Sequence, residues 1–203
     1  MSNTEANKPP SGEALATTIL ASFGAALQCF DEFWCAGWGT PANERACVAK
    51  VAVDLTNKLE PTLQPWCEIS LRVLCQSNGH HEIPEGISKR GRVDLVLCNS
   101  TGKSILALVE FKTNESTDDK HRLIRLRELL AIPNIIVVSC CDVRRRTDID
   151  TTIVELDDKI QTKLLEARDG WQVTIDPDRP HIHINSNDGG MWFVRPFVMW
   201  QSD

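Results

Sequence analysis

The sequence predicts an α/β domain with a mixed central sheet flanked by helices, and three observations carry that expectation. Two runs, Val93 to Cys98 and Ile105 to Phe111, are β-branched or aliphatic on both parities, as central strands covered on both faces are. Amphipathic helical patterns lie on either side of them. A short apolar run, Ile135 to Cys140, follows one of those helices, as a strand does when a helical crossover returns it parallel to a neighbour.

In chain order, residues 12 to 36 place Leu15, Ile19, Leu20, Phe23, Leu27 and Phe30 at three- and four-residue spacings, predicting a helix that Gly37-Trp38-Gly39 ends. Thr40 as N-cap and Pro41 at the first helical position open a second helix reaching about Glu60. Its face of Glu44, Val48, Val51 and Leu55 puts one carboxylate at the end of an apolar stripe. Cys67 to Gln76 alternates Ile69, Leu71, Val73 and Cys75 with polar residues and reads as a half-buried strand. Ser77 to Arg90 reads as a polar loop. The two central strands then form a hairpin across Asn99-Ser100-Thr101-Gly102-Lys103. A helix over Asp119 to Ala131 carries Leu123, Leu126 and Leu130 inward and stops at Pro133-Asn134. Asp150 reads as the N-cap of a helix from Thr151 to Arg168, ended by Gly170. Trp171 to Ile175, Pro180 to Asn185 and Met191 to Trp200 read as three further strands, the last two a hairpin.

At 203 residues the chain fits one domain, expected over 12–203 behind a disordered leader of residues 1–11. Hydrophobic residues at 42% and charged residues at 25% exclude disordered and membrane classes. No apolar run approaches the roughly 20 residues that span a bilayer. The polar start, with Pro9-Pro10, lacks the basic opening and apolar centre of a secretory signal, so a cytoplasmic protein is expected, with nuclear residence also compatible. Eight cysteines without a Cys-x-x-Cys pair read as buried reduced thiols. The net charge of −6 hides an asymmetry. Lys89 to Arg146 holds twelve Lys and Arg against seven Asp and Glu, while the rest holds ten against twenty-one. The cations travel with the hairpin.

That hairpin carries Asp94, Glu110 and Lys112 inside runs that otherwise look buried. Burying a carboxylate is costly unless it is paired or binds a cation. Glu110 and Lys112, two apart on a strand, share a face, with Asp94 close by on the antiparallel partner. Two carboxylates with retained waters suit Mg²⁺, and a lysine beside them can hold an attacking water or stabilise developing charge. The same residues also fit a salt-bridged trio on a solvent-facing sheet surface.

The order helix, strand, strand with Asp94, strand with Glu110-Phe111-Lys112, helix, strand resembles the PD-(D/E)xK phosphodiesterase superfamily, over about residues 41 to 140. Fifteen residues separate the two acids, and Val93 stands where the nominal proline precedes the aspartate. The resemblance implies a restriction-endonuclease-like core, with an added helix and β-hairpin over about 150–203, and a nuclease dependent on Mg²⁺ or Mn²⁺, with DNA as the expected nucleic acid. It implies Asp94, Glu110 and the Phe111 carbonyl as metal ligands and Lys112 as the catalytic cation. Glu44 is the candidate for a further acid, or a first-turn glutamate favoured by the helix dipole, with Glu68 as substitute. Lys120, Arg122 and the run Arg144, Arg145, Arg146 are candidates for nucleic-acid phosphate contacts, or solvated charges. The alternatives are a catalytically inactive subunit of the same fold that binds nucleic acid, and a protein-binding module built on the C-terminal hairpin. A homodimer or a specificity-supplying protein partner fits either case, and no membrane partner is expected. His80, His81, His181 and His183 lack further ligands at metal spacing and read as exposed strand or loop positions. Trp192, Phe193, Phe197 and Trp200 read as core.

Overall fold

The computed structural model describes residues 10–33, 41–80, 91–102, 104–112, 117–144, 149–166, 170–176, 182–185 and 191–202. Along the chain these form α1 (Gly12–Phe33), α2 (Pro41–Lys58), β1 (Leu63–Ser70), α3 (Leu71–Ser77), β2 (Arg92–Asn99) and β3 (Ile105–Lys112). They continue as α4 (Thr117–Leu130), β4 (Asn134–Arg144), α5 (Ile149–Glu166), β5 (Gln172–Ile175), β6 (Ile182–Asn185) and β7 (Met191–Ser202). Residues 1–9 of the leader, Thr40, Lys89, Arg90, His81 and His181 lie outside the described residues.

The strands make one mixed sheet in the order β1-β2-β3-β4-β7, and the far edge of β7 is shared by β5 and β6. Phe197 to Trp200 pair with β5 and Met191 to Val194 with β6, so Pro196, which has no N–H to give, falls in the gap between them. Among the described residues only β3 and β4 run parallel, joined by the α4 crossover, as the apolar run Ile135 to Cys140 led one to expect.

Both faces of the sheet are covered, which is why the central strands are apolar on both parities. Leu95, Leu97, Val109, Phe111, Ile136 and Val138 pack under α1 and α2. Val96, Leu108, Ile135, Val137, Phe197 and Met199 meet Leu71, Leu123, Leu126, Leu156 and Ile160 from α3, α4 and α5. Three of the C-terminal aromatics are core: Phe193 and Phe197 lie against α5, and Trp200 lies on the α1 side, while the side chain of Trp192 lies outside the described residues. Gly12 lets α1 begin hard against the sheet, since a Cβ there would come within 2.7 Å of Asn134 Oδ1.

The hairpin turn is built by Asn99. Its side-chain oxygen accepts from the Ser104 N–H at 3.2 Å and the Thr101 hydroxyl at 2.9 Å, while its carbonyl accepts from Gly102, whose φ is 66°. One β3 residue is bulged out beside Cys98, and the register then holds as Val96 opposite Leu108 and Leu95 opposite Val109. A one-residue slip there would move Glu110 to the other face, so this turn and bulge fix the phase of the acids.

One element differs from expectation. The segment Cys67 to Gln76 is the end of β1 followed by helix α3, because Ser70 accepts the Val73 N–H at its hydroxyl and starts a helical turn. Leu71, Leu74 and Cys75 are then buried at helical spacing, whereas Val73, inward in a strand reading, is 52% exposed. Asp150 likewise falls inside the first turn of α5 rather than before it. The described cysteines are free thiols, buried or partly buried except Cys67, which is exposed on the sheet edge. No helix among the described residues is long and apolar enough to cross a membrane.

Leu97 is fully buried in the central strand, so Leu97→Ala is expected to cost about 3 kcal/mol through lost contacts and a residual cavity. Val53→Ala, at a site 63% exposed, is expected to stay within about 0.5 kcal/mol. The midpoints of urea unfolding at unchanged slope separate the two.

Candidate active site

The β2–β3 ladder stops at the pair Leu95–Val109, while on its other side β3 stays paired to β4 through Glu110–Val137, Phe111–Val138 and Lys112–Ser139. A seam therefore opens between β2 and β3 where the acids stand. Asp94 fills it from β2, its Oδ2 accepting the Phe111 N–H at 2.8 Å. Strand alternation explains the sideways aim. Leu95 and Leu97 face α1 and α2, Val96 and Cys98 face α4, yet Val93 also faces α4, so the period of two breaks at Asp94. The break is matched on β1. Glu68 falls opposite Asp94, between the pairs Cys67–Leu95 and Ile69–Val93, and has a left-handed φ of 55°.

The outer end of β3 is held from three sides. Ser139 donates its hydroxyl to the Lys112 carbonyl at 2.7 Å, and the Phe111 ring meets Phe23 of α1 edge-on, centroids 5.8 Å apart. On the opposite face Glu110 is 1% exposed. Lys112 Nζ lies 3.2 Å from its Oε2 and Arg122 Nη2 of α4 lies 2.5 Å from its Oε1, so each oxygen faces one cation. Burial, then the neighbouring Asp94 carboxylate, outweigh the two cations and push the Glu110 carboxyl up to about 8.

The structure thus brings Asp94, Glu110, Phe111, Lys112 and Arg122 together. Arg122, a candidate phosphate contact or solvated charge, contacts an acid of the site. Nothing in the helical pattern of α4 distinguishes it from Arg125, which is exposed; only the crossover geometry does. Ser139 was legible only as a lone hydroxyl in an apolar strand. Lys120 is partly buried on the same helix. Glu44 stands in the first turn of α2, where its charge, added to burial, raises the Cys47 thiol, while the charges acting on Glu110 are those of Asp94, Arg122 and Lys112. Glu68 is held by Arg92 at 3.4 Å and by Arg45 of α2 at 4.0 Å. Arg144 ends β4 opposite Trp192, and its side chain, with all of Arg145 and Arg146, lies outside the described residues. His80 is partly buried after α3, and His183 lies on β6.

Among the described residues no three His, Cys, Asp or Glu side chains gather into a metal-binding group. The donor set that does converge is smaller, two carboxylates close enough that the charge of Asp94 raises the pKa of Glu110. Such a pair holds a proton where a hard divalent cation fits equally well, since Mg²⁺ takes one or two carboxylates and keeps several waters. The chemistry of the donors fits Mg²⁺ or Mn²⁺. No family model, characterised protein or solved structure matches the chain.

A carboxyl whose folded-state pKa lies above its unfolded value holds its proton more tightly when folded. The contribution of Glu110 to stability is therefore complete below 4.5 and is lost as pH rises through about 8. Unfolding curves in EDTA from pH 4 to 9 are expected to show that loss in the wild type and a flatter profile in Glu110→Gln. Parallel profiles would contradict this assignment.

Proposed function

We propose that this protein is a metal-dependent nuclease with a restriction-endonuclease-like core, hydrolysing phosphodiester bonds in nucleic acid, with DNA the substrate to test first. The observation that carries the proposal is the buried Glu110 carboxyl beside Asp94, with Lys112 at the same seam. The element order α2, β1, β2, β3, α4, β4, with β3 parallel to β4, supports it as well.

Asp94 and Glu110 would hold Mg²⁺ or Mn²⁺, with the Phe111 carbonyl as the backbone donor. When bound, the cation would neutralise charge on the phosphate and acidify a water. The remaining work belongs to the chain. The Phe111 N–H fixes the Asp94 carboxylate at 2.8 Å and leaves its other oxygen to the seam. Lys112, 3.2 Å from Glu110, has the geometry of an ammonium donor, which suits orienting the attacking water and stabilising the phosphorane-like charge. Arg122 offsets the charge of Glu110 once its proton is gone. The water oxygen bonds to phosphorus as the water gives a proton to solvent, the bond to the leaving sugar oxygen breaks, and that oxygen takes a proton from solvent to leave as a hydroxyl.

A second reading is favoured by one observation, that both Glu110 oxygens already face a cation. A closed ion-pair network of that kind also fits a nuclease-fold subunit that binds nucleic acid or a protein partner without turnover.

Purified protein incubated with single- and double-stranded DNA and RNA is expected to cleave with Mg²⁺ or Mn²⁺ and not with EDTA. Lys112→Ala is expected to lower the rate about 10²- to 10³-fold, as loss of one preorganised charge donor does. Cleavage that survives both EDTA and Lys112→Ala would overturn the mechanism. Absence of cleavage, with salt-dependent binding untouched by Asp94→Ala, would select the second reading.

A further inference from the structure

Both oxygens of Glu110 face a positive group. Lys112 Nζ lies 3.2 Å from Oε2 and Arg122 Nη2 lies 2.5 Å from Oε1, against a carboxyl whose side chain is 1% exposed. A divalent cation therefore reaches Glu110 only when one of the two gives way. Lys112 stays by the acids wherever it turns, because it stands two residues from Glu110 on the same face of β3, roughly 7 Å between Cα atoms, with its carbonyl held by Ser139. Arg122 has room to leave. It reaches Glu110 from α4, and its side chain, 23% exposed, already touches solvent. The helix itself need not move, since Leu123 and Leu126 keep α4 packed on the sheet while the arginine turns about its own bonds.

Charge sets the direction of that movement. A guanidinium is permanently positive and only donates, so it cannot share Oε1 with a divalent cation, and an attraction to the carboxylate becomes a repulsion from the cation. Arg122 released in this way is still anchored on α4, within a side-chain length of Glu110. A phosphate drawn to the same seam offers it a new partner, because the planar fork of the guanidinium matches two phosphate oxygens. The phosphate replaces what the cation takes away.

We infer that Arg122 is a phosphate-binding residue gated by the divalent cation: it holds Glu110 until the cation binds there, and then holds a phosphate of the nucleic acid at the same seam. Cation and nucleic acid then bind cooperatively, each raising the affinity for the other by the same factor. The inference rests on the nuclease reading for the cation and the phosphate, and adds the side chain that links them.

Fluorescence anisotropy with labelled single- and double-stranded DNA, in EDTA and in Ca²⁺ at matched ionic strength, measures the link. Ca²⁺ is a hard, oxygen-seeking cation like Mg²⁺, and a denaturing gel confirms that the strands stay intact. The wild type is expected to bind DNA about tenfold tighter in Ca²⁺, the size of one hydrogen bond to a charged group, and Arg122→Gln to lose that gain. In EDTA the variant is expected to bind no worse than Arg125→Gln, which removes an exposed charge from the same helix. Without DNA, calorimetry is expected to show Ca²⁺ binding several-fold tighter to Arg122→Gln than to the wild type, whereas loss of a residue that merely positioned Glu110 would weaken it. Arg122→Lys keeps the charge without the fork and is expected to keep part of the gain, with urea midpoints checking that each variant folds. No gain in the wild type, an equal gain in Arg122→Gln, or weaker Ca²⁺ binding by that variant would overturn the inference, and cleavage with Mg²⁺ in the same protein would leave the nuclease reading standing alone. An Arg122-dependent gain in a protein that never cleaves would sustain the gated contact and remove the nuclease reading.

Discussion

Burying the Glu110 carboxyl in the middle of the sheet is the constraint from which the rest of the site follows. A charged carboxylate in that position needs compensation of several kcal/mol. The chain supplies it with Lys112 from the same strand and Arg122 from the following helix, yet places a second carboxyl, Asp94, close enough to undo much of the gain. A protein that needed only a stable core would fill this position with an aliphatic residue, as it does at Leu108 two residues earlier. The arrangement is costly as a fold, and perturbed carboxyls of this kind cluster at functional sites.

Each neighbouring element is fixed by that requirement. α4 must dock on the face that carries Glu110, and its Leu123 and Leu126 do so while turning Arg122 to the acid. β2 must leave β3 before the acids are reached, and the ladder ends at Leu95–Val109. β3 must nonetheless stay rigid, and its unbroken pairing to β4, the Ser139 hydroxyl and the Phe23 contact hold it while its other edge is open. The local price of the break is the left-handed backbone at Glu68, about 1–3 kcal/mol for a residue other than glycine, partly offset by its two arginines.

Much of this was legible in the sequence because two-sided burial leaves an unmistakable composition. Val93 to Cys98 and Ile105 to Phe111 are apolar on both parities, so the three charges stood out, and a turn rich in Asn, Ser, Thr and Gly could only be a hairpin. What could not be read are the features set by tertiary packing or a single cap. Ile69, Leu71, Val73 and Cys75 satisfy a period of two, and Leu71, Leu74 and Cys75 satisfy a helical one; the Ser70 hydroxyl bonded to the Val73 N–H decides between them. The start of β1 at Leu63 was hidden because an edge strand exposing Gln64, Trp66 and Cys67 has no apolar alternation. Arg122 was found as a candidate cation, but its contact with Glu110 was not, since helical spacing cannot say where α4 crosses β3.

The central claim is that Asp94 and Glu110 together form a divalent-cation site in which the cation replaces a proton. Titration of Mn²⁺ into the wild-type protein by calorimetry, at pH 7 in two buffers of different ionisation enthalpy, measures binding and proton release at once. The account predicts saturable binding with release of up to one proton per ion, absent in Asp94→Asn and without proton release in Glu110→Gln. Mn²⁺ binding that is unchanged in both variants, or no binding to the folded wild type, would contradict it.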